Sequence, residues 1–198
     1  MVERTTQRNC AHSKLARLGE VLREAEQDKT LSPYAISAIR LLLLTGARLG
    51  EILTLQWDHV DPDHRQLRLP RSKTGPESIY LTTAVAEILQ SLPRVKGNPY
   101  VIVGERPGAH LVNLQKPWQR IRVRAGFEDV RLHDLRHSYA SVGATGGLSL
   151  LFVGKLLGHR QASTTQRYAH LAEDPVRQAG EQISETIATA LSPSHENF

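Results

Sequence analysis

Asp61-Pro62-Asp63-His64-Arg65-Gln66-Leu67-Arg68-Leu69-Pro70-Arg71-Ser72-Lys73-Thr74-Gly75-Pro76-Glu77-Ser78-Ile79-Tyr80-Leu81 is a stretch of this 198-residue chain that departs from helical spacing. Asp61-Pro62-Asp63 is turn chemistry. Gln66 to Leu69 alternates polar and apolar residues, the two-residue period of a half-buried strand. Ser72 to Pro76 reads as a hairpin loop and Ser78 to Leu81 as the returning strand. A small antiparallel sheet is therefore expected here, with Tyr100 to Val103 a possible addition.

On both sides the period changes to that of helices. Leu15, Leu18, Leu22 and Ala25 recur at helical spacing, after a polar stretch at residues 1–13 that reads as a loose start. Ser32 followed by Pro33 is a cap and a first-turn proline, opening a helix to Leu44, and Gly46 suits its end. A further helix is expected from Arg48 to Leu55, and a short one capped by Thr83 and ending near Ser91. Beyond Asn113 the expected helices are Leu114 to Ala125, Leu132 to Ala144, Ser149 to Leu157, Thr164 to His170 and Asp174 to Leu191. The last carries one apolar stripe, Val176, Ala179, Ile183, Ile187 and Leu191, which needs one partner surface: its own core or a neighbouring subunit. The fold class expected is α+β, mostly α-helical, with a small antiparallel sheet.

Composition narrows the function. At 40% hydrophobic and 23% charged residues the chain is an ordinary globular one. The most apolar stretch, Ile39 to Leu44, is interrupted by Arg40 and is far short of a membrane span of about 20 residues. The N-terminus has no apolar core of a secretion signal. A lone cysteine, Cys10, builds neither an internal disulfide nor a thiolate metal site, which fits a reducing cytoplasm. The net charge is +5, and 19 of the 25 cations are Arg. Planar guanidinium forks match phosphate oxygens in pairs, so the balance points to nucleic acid.

Three segments carry residues with chemical potential. In Thr45-Gly46-Ala47-Arg48-Leu49-Gly50-Glu51-Ile52-Leu53, Arg48 stands at a helix start with Glu51 one turn later on the same face. The segment lacks the Gly-Lys-Ser/Thr ending of a phosphate-binding loop. In Leu132-His133-Asp134-Leu135-Arg136-His137-Ser138, His133 and Arg136 share a helical face while Leu132 and Leu135 anchor it. His133 and His137 have zinc-ligand spacing, but a metalloprotease places Glu after the first His, where Asp134 stands. No metal and no cofactor is expected. In Leu156-Leu157-Gly158-His159 and the residues that follow, His159 succeeds a helix-ending glycine and Tyr168 comes nine residues later. Each segment alone also reads as plain structure: a surface ion pair, a packing histidine, a core aromatic.

Together and in this order, they resemble the tyrosine recombinase (phage integrase) family over the catalytic domain, from about Leu15 to the end. The family's Thr-Gly-x-Arg-x-x-Glu segment, hairpin Lys, His-x-x-Arg, Leu-Leu-Gly-His and following Tyr are all present. The resemblance implies an integrase-type catalytic domain that cleaves and rejoins DNA strands without a metal, through a 3′-phosphotyrosyl intermediate. It implies that Arg48 and Arg136 grip the non-bridging oxygens and Tyr168 attacks phosphorus. Lys73 serves as general acid for the departing 5′-oxygen, His133 as general base, and His159 as a hydrogen-bond donor to the scissile phosphate. Glu51 orients Arg48 or His133, and His170 receives no role. Further cations available to the DNA backbone are Arg71, Lys116, Arg120, Arg122, Arg124, Arg131, Arg160 and Arg167.

The expected organisation is a loose segment at residues 1–14 and a catalytic domain at 15–198, with the family's N-terminal DNA-clamping domain absent. The expected partners are double-stranded DNA and further copies of the chain, joined on DNA through the C-terminal helix. On that reading, removing residues 174–198 weakens assembly and leaves the fold intact. The alternatives are a topoisomerase IB-like nicking and resealing enzyme and a truncated, non-catalytic DNA-binding remnant.

Overall fold

The computed structural model describes the backbone of residues 2–72, 75–145, 148, 150–158 and 173–192, and side chains within 13–69, 78–143, 148, 151–158 and 179–192. In chain order the described elements are α1 (Val2–Gln27), α2 (Pro33–Thr45), α3 (Leu49–Leu53), β1 (Val60–Asp61), β2 (Gln66–Ser72), β3 (Gly75–Tyr80), α4 (Thr83–Ser91), α5 (Gln115–Ala125), α6 (Leu132–Thr145), α7 (Leu150–Leu156) and α8 (Glu173–Leu191).

Helix α2 is the axis of the core. Ser32 Oγ accepts from the Ala35 amide at 3.2 Å, and Pro33 occupies the first turn, where its missing N–H costs nothing. Leu41, Leu42, Leu43 and Leu44 are all buried, so the helix is covered all round rather than on one stripe. Helices α1, α3, α4, α5, α6 and α8 all pack on it. Arg40 reaches the rim and forms a paired contact with Glu26, at 2.8 and 3.3 Å. Gly46 ends α2 in the left-handed conformation, φ 63°, with its N–H on the Leu42 carbonyl at 3.1 Å.

The sheet has the order β1-β2-β3, antiparallel throughout, with Leu67 opposite both Val60 and Ile79. Leu67 and Leu69 point into the core and Arg68 points out, as the alternation predicts. The pairing shifts between Leu69 and Ser72. Tyr100 to Val103 does not form a strand: Tyr100 bridges Gln56 and Val103 bridges His110 singly, while Val101 and Ile102 fill the core. The cap of α4 is Thr82, one residue before the expected Thr83. The expected loose start also differs, since α1 begins at Val2. Within residues 2–13, Glu3, Arg4, Gln7, Arg8 and Ala11 are good helix formers, and the segment continues α1 without an apolar stripe of its own. The expected helix Thr164 to His170 and the hairpin tip at Lys73-Thr74 lie outside the described residues.

Helix α8 turns the described part of its apolar stripe inward, and the side chain of Val176 lies outside the described residues. Ala179, Ile183, Ile187 and Ala190 are buried against the chain's own core, and Ser184 Oγ donates to the Leu44 carbonyl at 2.8 Å. Arg23 donates to the Leu191 carbonyl, and a Cβ on Gly19 would strike the Leu191 backbone. The helix completes the core, so loss of residues 174–198 is expected to destabilise the fold, against the expectation that it leaves the fold intact. Among the described residues, no helix is long and apolar enough to cross a membrane.

Candidate active site

Arg136 is the most firmly placed of the expected site residues. It lies on α6, one turn after His133, and only 8% of it is exposed. Its Nη1 donates to the Gly46 carbonyl at 2.5 Å and its Nη2 to the Leu157 carbonyl. Gly46 ends α2 and Leu157 follows α7, so the guanidinium sits at two helix C-termini. The partial negative charge there favours a cation and offsets its desolvation. The carbonyls also fix the plane of the fork.

Arg48 caps α3 and is held at both ends by one carboxylate. Its backbone N–H donates to Glu51 Oε2 at 2.8 Å, and its Nη1 pairs with Glu51 Oε1 at 2.7 Å. The Glu51 side chain is 9% exposed against 30% for Arg48, so the acid is the inner member and the guanidinium the outer one. The expected orienting role of Glu51 toward Arg48 matches this geometry. No Glu51 contact with His133 is seen among the described contacts.

Helix α6 starts through a local device. Asp134 Oδ2 accepts from the Arg131 backbone N–H at 2.8 Å, and Oδ1 from Arg131 Nη2 at 3.1 Å. The Arg131 side-chain bond, followed by its backbone N–H, holds the Asp134 carboxyl below the usual range. Asp134 thus acts as the inner half of a capping box, which explains an acid directly after His133 without a metal. His133 and His137 are exposed, with ring centroids 5.0 Å apart at 87°. Among the described residues no group of three His, Cys, Asp or Glu side chains is placed to hold a metal.

His133, Arg136, Arg131 and Arg122 line one cleft of about 380 Å³, with Ala47 and Leu49 on either side of Arg48 in its wall and Trp118 in its floor. Trp118 is buried and its Nε1 donates to the Val130 carbonyl at 2.9 Å, tying α5 to the segment leading into α6. Arg122 donates from Nη1 to the same carbonyl at 3.3 Å, while its buried Nε has no hydrogen-bond partner among the described residues. Gln115 and Gln119 also line the cleft, and the motif reading had passed over both. The expected backbone cation Arg124 is instead paired with Glu24 and Asp28, both at 3.0 Å. Tyr139 is packed in the core, and burial pushes its phenol above the usual tyrosine range. Lys73, His159, Tyr168 and His170 lie outside the described residues, as do the side chains of Arg71, Arg160 and Arg167.

The family model of the phage integrases matches residues 11–174. The chain belongs to the phage integrase family. It is 31% identical over 167 residues to the shufflon-specific DNA recombinase of Escherichia coli, covering 83% of this chain and 40% of that protein. It is 32% identical over 169 residues to the tyrosine recombinase XerC of Mycobacterium leprae, covering 80% of this chain and 57% of the relative. The chain thus spans about half the length of the curated integrase-family relatives it matches. In fold it resembles the crystal structure of XerA recombinase, with a TM-score of 0.61 and 25% identity over 85% of this chain and 62% of that one. It also resembles XerH bound to its difH substrate, with a TM-score of 0.63 at 22% identity, covering 82% and 50% of the two chains.

Proposed function

We propose that this chain is the catalytic domain of a site-specific DNA recombinase, occupying residues 15–198 and acting in the cytoplasm on double-stranded DNA. The observation that carries the reading is the meeting of Arg136 and His133 in one cleft beside Glu51-held Arg48, in a chain whose family match runs from residue 11 to 174.

The chemistry follows from a phosphodiester's needs. The negative phosphate repels nucleophiles, and the five-coordinate transition state gathers more charge on its non-bridging oxygens. Arg48 and Arg136 neutralise that charge as preorganised donors, the electrostatic work that a metal performs in other phosphoryl-transfer sites. The Tyr168 hydroxyl, with an ordinary pKa near 10, gives its proton to His133 as its oxygen attacks phosphorus. The bond to the 5′-oxygen breaks, and Lys73 delivers the proton that leaves a free 5′-hydroxyl. His159 hydrogen-bonds the phosphate. The 3′-phosphotyrosyl ester keeps the energy of the broken linkage, so a 5′-hydroxyl from another strand attacks it, expels the tyrosine and restores a phosphodiester without ATP. Further copies of the chain on the partner half-sites supply the other cleavages that the exchange requires.

The test uses a suicide duplex, nicked so that the covalent product cannot reverse, with wild type and Tyr168→Phe compared in the absence of divalent metal. A DNA-linked band on a denaturing gel in wild type alone supports the reading. A band that persists in Tyr168→Phe overturns it.

A further inference from the structure

His137 is a chemistry-bearing residue that strand cleavage leaves unused. It follows His133 by four residues on α6, so the two share a face. Both are exposed, and their ring centroids are 5.0 Å apart. Among the described residues neither imidazole is engaged in a hydrogen bond. Asp134, directly after His133, is committed to Arg131 through the backbone N–H at 2.8 Å and the guanidinium at 3.1 Å. His133 lines the cleft with Arg136, whereas His137 lines the neighbouring, more apolar cavity beside Leu15 and Phe127. The pair therefore spans the ridge between the two, with one member inside the cleft and one outside it.

We propose that His133 and His137 form a binding site for a divalent transition metal, Zn²⁺, Ni²⁺ or Cu²⁺, and that its occupation switches strand cleavage off. The separation is that of a chelating pair. Imidazole nitrogens bind zinc at about 2.0–2.1 Å and lie ~1.1 Å from their ring centroids, so two imidazoles on one tetrahedral ion have centroids ~5 Å apart. On an ion with right-angled ligands the centroids come to ~4.5 Å. Rotating two exposed rings about their side-chain bonds aims the nitrogens at one point without moving the helix. Arg122, Arg131 and Arg136 share the cleft and oppose a dication. Arg131 is offset by Asp134, and Arg136 directs its Nη groups at two backbone carbonyls, which lowers that opposition. Two protein ligands leave the other positions to water, so the ion is held reversibly. The inhibitory half rests on the reading of His133 as general base: the lone pair that would take the Tyr168 proton is then given to the metal. The binding half does not rest on it.

The first arm of the experiment is calorimetric titration of the full, DNA-free chain with Zn²⁺ and Ni²⁺. Wild type is expected to bind an ion that His137→Ala and His133→Ala each bind at least about 10- to 100-fold more weakly, no less than loss of an outer hydrogen-bond partner costs a metal site. Cu²⁺ should bind this site more tightly than Zn²⁺ or Ni²⁺, and Mg²⁺, which prefers oxygen ligands, should not bind it. The second arm is adduct formation on the suicide duplex. Zn²⁺ is expected to abolish the wild-type adduct, and a chelator to restore it. His137→Ala is expected to match wild type in metal-free buffer and to keep forming adduct at Zn²⁺ concentrations that silence wild type. Equal metal affinity in wild type and His137→Ala would overturn the site. Metal bound at the pair with adduct formation untouched would overturn the switch. If metal-free wild type forms no adduct at all, the strand-cleaving reading fails, while calorimetry still decides the site by itself. Both histidines are exposed, and thermal unfolding of each variant verifies that the fold is retained.

Discussion

Arg136 and Gly46, 90 residues apart in sequence, are joined by a hydrogen bond of 2.5 Å from the guanidinium Nη1 to the glycine carbonyl. The same guanidinium holds the carbonyl of Leu157, just before the Gly158-His159 pair. One side chain on α6 thus ties together the ends of α2 and α7. The loop that carries Arg48 begins directly after Gly46, so the two arginines are fixed relative to each other through backbone rather than through long flexible side chains.

Replacing Arg136 by Lys should therefore be far from conservative. An ammonium keeps the charge but lacks the planar fork that reaches two carbonyls at once. Covalent adduct formation on the suicide duplex is expected to fall about 100- to 1000-fold, the scale of one lost preorganised donor. DNA binding, measured by gel shift on the same duplex, should change much less.

Gly46→Ala tests the other end of the contact. The position has φ 63°, and a Cβ there would sit 2.6 Å from Tyr139 Cδ1 and 2.8 Å from Leu157 Cδ2. Left-handed backbone alone costs a non-glycine residue about 1–2 kcal/mol. With the clash against a buried ring, a loss of about 2–4 kcal/mol is expected. Tm should fall by roughly 5–10 °C in calorimetry, together with cleavage, since the carbonyl that holds Arg136 must move. A fully stable, fully active Gly46→Ala would contradict this account of how the arginine is placed.

The sequence made the hairpin and the central helix legible for physical reasons. Leu67 and Leu69 alternate with Arg68, and Ser32-Pro33 and Gly46 carry the capping chemistry of α2. Arg48, His133 and Arg136 stood out as candidates because several short segments, each ordinary alone, occur together and in one order. Other features left no such trace. The acceptors of Arg136 are backbone carbonyls, which any residue supplies, so Gly46 and Leu157 could not be named as its partners. Tyr100 to Val103 has the composition of a strand, but its neighbours at Gln56 and His110 offer single bridges only. The C-terminal stripe fitted its own core and a partner subunit equally well, because an amphipathic face records that it is covered and not by what.

Asp134 gives a pH-dependent prediction. Its carboxyl is held below the ordinary value, first by the Arg131 side chain and then by the Arg131 backbone N–H. A lowered folded-state pKa means that the contribution is present above the unfolded value of about 3.9 and is lost as pH falls through the folded one. Asp134→Asn keeps an acceptor and removes the charge. At pH 7 it should cost about 0.5–1 kcal/mol, the usual size of an acid in the first turn of a helix. The difference in Tm between variant and wild type should be full near pH 7 and shrink as pH falls below the ordinary carboxylate value of about 3.9. A gap that does not shrink at any acid pH at which the fold survives would mean that the ionised carboxylate contributes nothing.

Helix α8 decides between two accounts of the C-terminus. Ile187 is fully buried and Ile183 nearly so, and Ser184 closes the end of α2 through the Leu44 carbonyl. Ile187→Ala removes buried methylenes that no solvent can replace and should cost about 2–5 kcal/mol. Deleting residues 174–198 exposes that whole surface, with the carbonyl of Leu44 losing its donor as well. Circular dichroism of the deleted chain should show loss of the cooperative thermal transition, and gel filtration should show aggregation. If α8 served only to bridge subunits, the deleted chain would instead melt cooperatively near the wild-type temperature and lose only assembly on DNA. Ile187→Ala would then leave Tm within a degree or two of wild type. The burial of the two isoleucines against the chain's own core predicts the opposite on both counts.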